Sequence, residues 1–148
     1  MTPTWPRVYI PYEDKHEPFV YGTWIRSLWA AVPWKSMRHA EFKPKQRNSI
    51  DRLLARPGVK ALIACDPSGE PLMGHCVYER DEDGLFLLHY IYVRSMFRVD
   101  HIGTGLLRAA GLHVGVEPMA ATAWTKGINY QQKRWLVSYD PGRGEMFR

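Results

Sequence analysis

LFLLHYIYV at residues 85–93, followed by RVDHIGTGLL at residues 98–107, decides the fold of this chain. The first run is apolar almost throughout, which is typical of a strand buried on both faces of a sheet. The second run is a polar turn that opens an amphipathic helix. The first N–H groups of a helix have no partner inside it, and the helix dipole places partial positive charge there. The junction between the two runs is therefore suited to an anion such as a phosphate.

The glycines of this junction narrow the choice of phosphate ligand. Neither Gly-x-Gly-x-x-Gly nor Gly-x-x-x-x-Gly-Lys-Ser/Thr occurs in the chain. The segment instead resembles the acyl-CoA motif of the GNAT superfamily of N-acetyltransferases, Arg/Gln-x-x-Gly-x-Gly/Ala, with Arg98 and Gly103 at its first and last positions. His101 replaces the middle glycine. A side chain there is expected to crowd the pyrophosphate or to force the loop open.

The resemblance implies that acetyl-CoA is the co-substrate; no metal is expected, because the histidines and cysteines show no ligand-like pairing. In the family, the pyrophosphate meets backbone amides of the loop, and the pantetheine arm pairs with the edge of the fourth strand. Carried over to this sequence, the cofactor-binding residues are Tyr92, Val93, Arg94, Arg98, Val99, Asp100, His101, Ile102, Gly103 and Thr104.

Family members remove a proton from an amine and release coenzyme A as the thiol, which requires a base and an acid. The base is often a carboxylate on the fourth strand, but residues 85–93 contain no Asp or Glu. His89 is the group there whose reference pKa of about 6.5 suits a base, with a core histidine as the alternative. Glu79, at the end of the preceding strand, is the reserve candidate. The family's tyrosine near the departing sulfur implies Tyr130 as the acid, with simple packing as the alternative.

The periodicity predicts the order strand, two helices, three strands, helix, strand, short connection, strand. The predicted elements are Val8–Ile10, Phe19–Ala31, Pro44–Ala55, Val59–Cys65, Leu72–Glu79, Leu85–Val93, Ile102–Leu112, Ala120–Trp124 and Trp135–Tyr139. This is the order of the GNAT acyl-CoA N-acyltransferase fold, in which the fourth and fifth strands splay apart. We therefore expect a single α/β (mixed α+β) domain over residues 1–148. Its central sheet should be mostly antiparallel, with six or seven strands and about four helices.

Composition limits the class of protein. A chain of 148 residues with 45% hydrophobic and 24% charged residues is typical of one globular domain. No apolar stretch approaches the ~20 residues that cross a bilayer, and the N-terminus lacks the apolar region of a signal peptide, so a cytoplasmic protein without membrane partners is expected. Cys65 and Cys76 are predicted to be two buried thiols. The six histidines show no metal-ligand spacing with them.

The net charge is +5, and much of the excess lies between Lys35 and Arg56. A basic face attracts polyanions, whether nucleic acid, the phosphates of coenzyme A or an acidic protein; a solvated helix face is the alternative. Trp29, Trp34 and Trp124 are candidates for an acceptor platform, with core packing as the default.

Together these features predict an acyl-CoA-dependent N-acyltransferase, most simply acetylating an amine by direct attack in a ternary complex. The amine belongs to a small molecule, a peptide or a nucleic-acid base. The alternatives are an inactive domain that binds nucleic acid or a host protein, and an acyltransferase that modifies nucleic-acid bases; fold alone does not choose among them. Segments 19–20, 24–27, 88–98 and 139–141, with Trp135, resemble small bacteriophage-encoded members of the superfamily. That resemblance implies the cytoplasm of a bacterial host.

Overall fold

The computed structural model describes residues 5–30, 39–123, 128, 131 and 134–140, and for residues 30, 39–42, 99 and 100 it describes the backbone alone. Six strands form one sheet, and three α-helices of this part of the chain pack on it. The elements are β1 (Val8–Pro11), α1 (Glu17–Ala30), α2 (His39–Leu54), β2 (Lys60–Cys65), β3 (Leu72–Arg80), β4 (Phe86–Val93), α3 (Ile102–Ala109), β5 (Met119–Ala121) and β6 (Val137–Tyr139). The predicted order and fold class are confirmed.

The strands lie in sequence order across the sheet. Strands β1 to β4 pair antiparallel, whereas β4, β5 and β6 are parallel. Parallel neighbours need a crossover, which α3 provides between β4 and β5. No helix within the described ranges has both the length and the apolar character that a membrane span requires.

The helices cover both faces of the sheet and create two cores. The α3-side core includes Phe86, Leu88, Ile91, Leu106 and Leu107. The α1/α2-side core contains the following residues: Val20, Trp24, Ile50, Leu53, Val77 and Tyr90. Because β4 contributes to both cores, its buried residues run from Phe86 to Ile91 without a polar face, as expected of a strand covered on both sides. Cys65 and Cys76 are free and buried, as predicted.

Helix α3 ends at Ala109, so the prediction that it continues to Leu112 is wrong. Gly111 has a φ of 96°, a left-handed conformation that glycine adopts readily. The N–H of Leu112 donates to the carbonyl of Leu107 at 3.0 Å, and the N–H of Gly111 donates to Arg108 at 3.0 Å. This pair of bonds is the Schellman motif, which stops the helix and satisfies its last carbonyls.

Other elements also begin or end at residues that differ from the prediction. Helix α2 begins at His39 rather than at Pro44, which lies inside it; proline has a helical φ but removes one backbone donor. Strand β5 ends at Ala121, short of Trp124. Trp135 is helical rather than the first residue of β6, and its side chain is buried.

Gly74 allows β3 and β4 to pair closely, and we expect Gly74→Ala to destabilise the fold. A Cβ at this position would lie 2.5 Å from the carbonyl oxygen of Tyr92 and 3.2 Å from the Cα of Val93, both backbone atoms of β4. Overpacking of this kind costs about 2 kcal/mol, measurable by urea unfolding. Gly22→Ala is the control, because this exposed position in α1 has only the Arg26 guanidinium nearby, at 3.9 Å. Gly22→Ala should stabilise the protein by about 0.5–1 kcal/mol through its higher helix propensity. If Gly74→Ala is as stable as the wild type, the close pairing of β3 and β4 is contradicted.

Candidate active site

The sheet opens between β4 and β5. Strand β5 pairs only with the first part of β4, in the register Phe86 with Met119 to Leu88 with Ala121. The last link is the N–H of Thr122, which donates to the carbonyl of Leu88 at 3.0 Å. Beyond it, the described part of the chain places no strand on this side of β4. The later half of β4 therefore presents a backbone edge to the opening.

A β-bulge lies where the opening begins. Val77 of β3 pairs with Tyr90, but the next residue, Tyr78, pairs with Leu88, so His89 is an extra residue in β4. A bulge reverses the alternation of side chains along a strand and redirects the residues next to it. Accordingly, Leu88 belongs to the α3-side core and Tyr90 to the α1/α2-side core.

His89 is fully buried in a polar cluster at this bulge. Its Nδ1 lies 2.8 Å from Thr122 Oγ1, and its Nε2 lies 3.6 Å from Glu79 Oε1. Arg56 donates to the same Glu79 oxygen at 3.0 Å. Burial first, and the Arg56 guanidinium second, lower the pKa of His89 from 6.5 to about 4. His89 is therefore a neutral imidazole at physiological pH.

The N-terminal turn of α3 is suited to bind an anion. The first helical bond runs from the N–H of Gly105 to the carbonyl of His101 at 2.9 Å, which leaves the preceding N–H groups, those of Ile102, Gly103 and Thr104, without a partner inside the helix. The first turn contains no acidic residue. N–H groups without a partner inside the helix, together with the helix dipole, favour a phosphate at this place.

Two exposed arginines flank this turn. The Nε of Arg98 donates to the carbonyl of Val93 at 2.8 Å, and its guanidinium lies over the Tyr92 ring. Arg94 donates to the carbonyl of Leu72 at 3.2 Å and lies over the Phe19 ring. Both cations are thus held at the carboxyl end of β4, next to the start of α3.

Trp135 fixes the other side of the turn. A Cβ on Gly103 would lie 3.4 Å from its ring, and its Nε1–H donates to Thr104 Oγ1 at 3.4 Å. The first turn of α3 is therefore packed from behind, and its backbone is held in place for a ligand.

His101 has a left-handed backbone conformation, which glycine adopts readily. Its φ is 57° and its ψ is 31°, in the left-handed region, where histidine is one of the few residues found with some frequency. The side chain is exposed and makes no capping bond. The loop thus keeps a glycine-type turn with a histidine in it.

We expect His101→Gly to stabilise the protein. The left-handed conformation costs a non-glycine residue roughly 1–2 kcal/mol, whereas glycine adds entropy to the unfolded chain. The net gain is expected to reach about 1 kcal/mol by thermal or urea unfolding. His113→Gly is the control, because this exposed residue lacks a positive φ and should only lose stability. A similar loss in both variants would contradict the strain at His101.

The structure brings the predicted cofactor-binding residues together. Tyr92, Val93 and Arg94 lie at the end of β4, and residues 98–104 form a 3₁₀ turn and the start of α3. Ile102 and Thr104 are buried, so Ile102 offers a ligand only its backbone. The side chains of Val99 and Asp100 lie outside the described residues.

Of the predicted catalytic residues, the structure describes His89 and Glu79 but not Tyr130. His89 and Glu79 are neighbours, both buried, whereas Tyr130 lies outside the described residues, as do Trp34 and Trp124. Trp29 is half-buried and packs on the α1/α2-side core. Within the described ranges, no three His, Cys, Asp or Glu residues come close enough to bind a metal ion.

Sequence reasoning missed three contributors to the site: Arg56, Thr122 and Trp135. Arg56 belonged to a run of basic residues, Thr122 to a predicted strand, and Trp135 to the last strand. Each reaches the site from a distant part of the chain, so no local pattern marks it.

Comparison with known proteins identifies the fold. No family model matches the chain, and a search of curated proteins finds no match. Among solved structures, a Pyrococcus furiosus protein named as an acetyl transferase is 19% identical with a TM-score of 0.60, over 71% of this chain and 72% of that chain. A Staphylococcus aureus protein named as a GNAT family acetyltransferase is 14% identical with a TM-score of 0.54, over 69% and 86%.

A third match is the aminoglycoside N-acetyltransferase AAC(6')-Iy in complex with CoA. It is 14% identical with a TM-score of 0.51, over 90% of this chain and 86% of that chain. At these identities the similarity concerns the fold. The chain therefore has the fold of the GNAT acyl-CoA N-acyltransferases.

Proposed function

We propose that the chain is an acyl-CoA-dependent N-acetyltransferase that transfers acetyl from acetyl-CoA to an amine. The observation that carries the proposal is the N-terminal turn of α3, whose first N–H groups have no partner inside the helix, with Arg98 beside it, next to the open edge of β4. On the same fold, AAC(6')-Iy was solved with CoA, which supports a CoA thioester as the ligand.

The residues present fit such a ligand. The N–H groups of Ile102, Gly103 and Thr104, with Arg98, would hold the pyrophosphate. The unpaired backbone of β4 near Tyr92 would accept a pantetheine amide as an added strand would bind. The thioester supplies an activated acetyl group, which the amine attacks directly in a ternary complex. His89 and Glu79 as base, and Tyr130 as acid, stay predictions.

A second candidate function is the binding of nucleic acid, with or without acylation of its bases. Lys43, Lys45 and Arg52 on α2 are exposed and have no acidic partner within the described ranges. Such a face attracts a polyanion. A bacteriophage source and a cytoplasmic location likewise stay predictions.

Calorimetric titration with acetyl-CoA tests the proposed function. We expect micromolar binding, and binding of pantetheine alone at least about 100-fold weaker, because pantetheine lacks the phosphates that α3 would bind. Thiol release is then followed with a panel of small amines, lysine peptides and oligonucleotides. Absence of binding to acetyl-CoA, with salt-dependent binding to an oligonucleotide, would favour the second candidate function.

A further inference from the structure

Three buried side chains form a connected chain from β3 to the start of the opening. Glu79 Oε1 faces His89 Nε2 at 3.6 Å, and His89 Nδ1 meets Thr122 Oγ1 at 2.8 Å. Thr122 is also the residue whose N–H makes the last link between β5 and β4. The hydroxyl end of this chain therefore lies where the two strands part.

The charges around His89 set the direction of its hydrogen bond. Ionised Glu79 is an acceptor only, and Arg56 holds it in place, so its carboxylate favours the tautomer with the proton on Nε2. The 3.6 Å between His89 Nε2 and Glu79 Oε1 is too long for a hydrogen bond. Nε2 has no other hydrogen-bond partner among the described residues. Nδ1 is then an acceptor, and the Thr122 hydroxyl donates to it. In the part of the chain that the structure describes, no other donor bonds to Thr122 Oγ1, so its lone pairs can accept another proton.

We propose that Thr122 is a catalytic residue that accepts the proton of the acceptor amine, with His89 and Glu79 acting through it as positioning residues. The proposal rests on the proposed function. The nitrogen of the neutral amine bonds to the acetyl carbon, and the bond from that carbon to sulfur breaks. The amine proton passes to Thr122 Oγ1 as the hydroxyl proton passes to His89 Nδ1. It returns by the same path to the thiolate, so the products are the amide and CoA thiol.

The arrangement explains two features that a single basic side chain leaves unexplained. His89 is 0% exposed and Thr122 is 5% exposed, so Thr122 is the member of this pair that a substrate proton can reach, and it passes the proton to the ring. The charge that develops on its ring during transfer lies 3.6 Å from the Glu79 carboxylate, which offsets part of the cost set by burial and by the Arg56 guanidinium.

NMR of the histidine side-chain nitrogens tests the tautomer without any substrate. In the wild type, His89 is expected to carry its proton on Nε2, with a hydrogen-bonded Nδ1. Thr122→Val should shift the Nδ1 signal toward that of an unbonded nitrogen, and Thr122→Ser should restore it. A wild-type His89 with its proton on Nδ1 would overturn the proposal even where no amine of the panel reacts.

Turnover with the best amine of the panel tests the role. Thr122→Val should lower kcat about 100-fold, the usual contribution of a positioned base, with the Kd for acetyl-CoA within about twofold of the wild type. Thr122→Ser should keep kcat within about threefold. Thr23→Val is the matched control, because Thr23 Oγ1 makes the same kind of bond to another fully buried histidine, His75, at 2.7 Å. It should lose stability and retain kcat.

The outcomes separate this proposal from the proposed function. Wild-type turnover with an unaffected Thr122→Val variant would overturn the role of Thr122 and leave the acetyltransferase in place. A wild type that does not bind acetyl-CoA would instead remove the proposed function. Equal losses of kcat in Thr122→Val and Thr23→Val would mean that both act through stability alone.

Discussion

Lowering the pH from 7.5 to 4 is expected to cost the folded protein about 6 kcal/mol, a large part of the roughly 5–15 kcal/mol by which folded domains are stable. Two fully buried histidines cause the effect. Burial lowers the pKa of His75 to about 3, and burial together with Arg56 lowers that of His89 to about 4. Both rings are neutral in the folded protein over the whole range above pH 5.

The direction of the pH effect on stability follows from the number of protons bound by the folded and the unfolded protein. In the unfolded chain both histidines titrate at about 6.5, so between pH 6.5 and 4 the unfolded chain binds protons that the folded protein does not. The contribution of the two neutral histidines to the free energy of unfolding is therefore fully present above pH 6.5. It is lost as the pH falls toward their pKa values in the folded protein. At pH 4 the loss is about 3 kcal/mol for each histidine. Burial also lowers the pKa of His16, which acts in the same direction.

Urea unfolding at a series of pH values measures this loss. His75→Gln keeps a hydrogen-bonding amide near Thr23 but cannot be protonated, so its loss between pH 7.5 and 4 should fall to about 3 kcal/mol. His113→Gln, at an exposed position, is the control for removing a histidine that is not buried. A free energy of unfolding that stays constant down to pH 4.5 would show that the buried histidines are not neutral as described.

The fold could be predicted where its determinants are local in sequence. Strand β4 starts one residue after its predicted start, and α3 begins at Ile102 as predicted, because an apolar run and a polar turn are continuous signals. The end of α3 was missed although Gly111 marks it. The amphipathic pattern continues past the Schellman motif, since Leu112 still packs in the core.

The candidate site was predictable only in part. The turn proposed to bind phosphate is one short segment, so its residues could be predicted together. The cluster around His89 joins Arg56, Glu79 and Thr122, which come from three separate parts of the chain. The bulge that brings His89 into this cluster depends on the register of β3 against β4, and no pattern in either strand alone encodes a register shift.

Arg98→Glu is expected to weaken the binding of acetyl-CoA by at least about 100-fold. The guanidinium is held beside the first turn of α3 by its bond to the carbonyl of Val93 and by the Tyr92 ring. Charges about 6 Å apart in water interact by about 0.7 kcal/mol per pair of unit charges. Replacing one positive by one negative charge beside a doubly charged pyrophosphate therefore costs about 3 kcal/mol, or about 100-fold in Kd.

Calorimetry on a series of Arg98 variants distinguishes the effect of the Arg98 charge from the effect of its hydrogen bond to Val93. Arg98→Lys keeps the charge but not the planar fork that bonds to Val93, and Arg98→Met removes the charge without reversing it. We expect Kd to rise in the order lysine, methionine, glutamate, with about tenfold for methionine. Arg108→Glu makes the same charge change at an exposed position in the last turn of α3 and should change Kd by less than about threefold.

The order within the series decides which group binds the phosphate. If Arg98→Met and Arg98→Glu weaken the binding of acetyl-CoA equally, the guanidinium acts by ordering the loop through its bond to Val93 rather than by its charge. If none of the three changes Kd, the backbone N–H groups of α3 bind the phosphate alone or the phosphate lies elsewhere. In that case His101→Gly, which alters the backbone of the same turn, separates the two outcomes, because only a ligand at the turn responds to it.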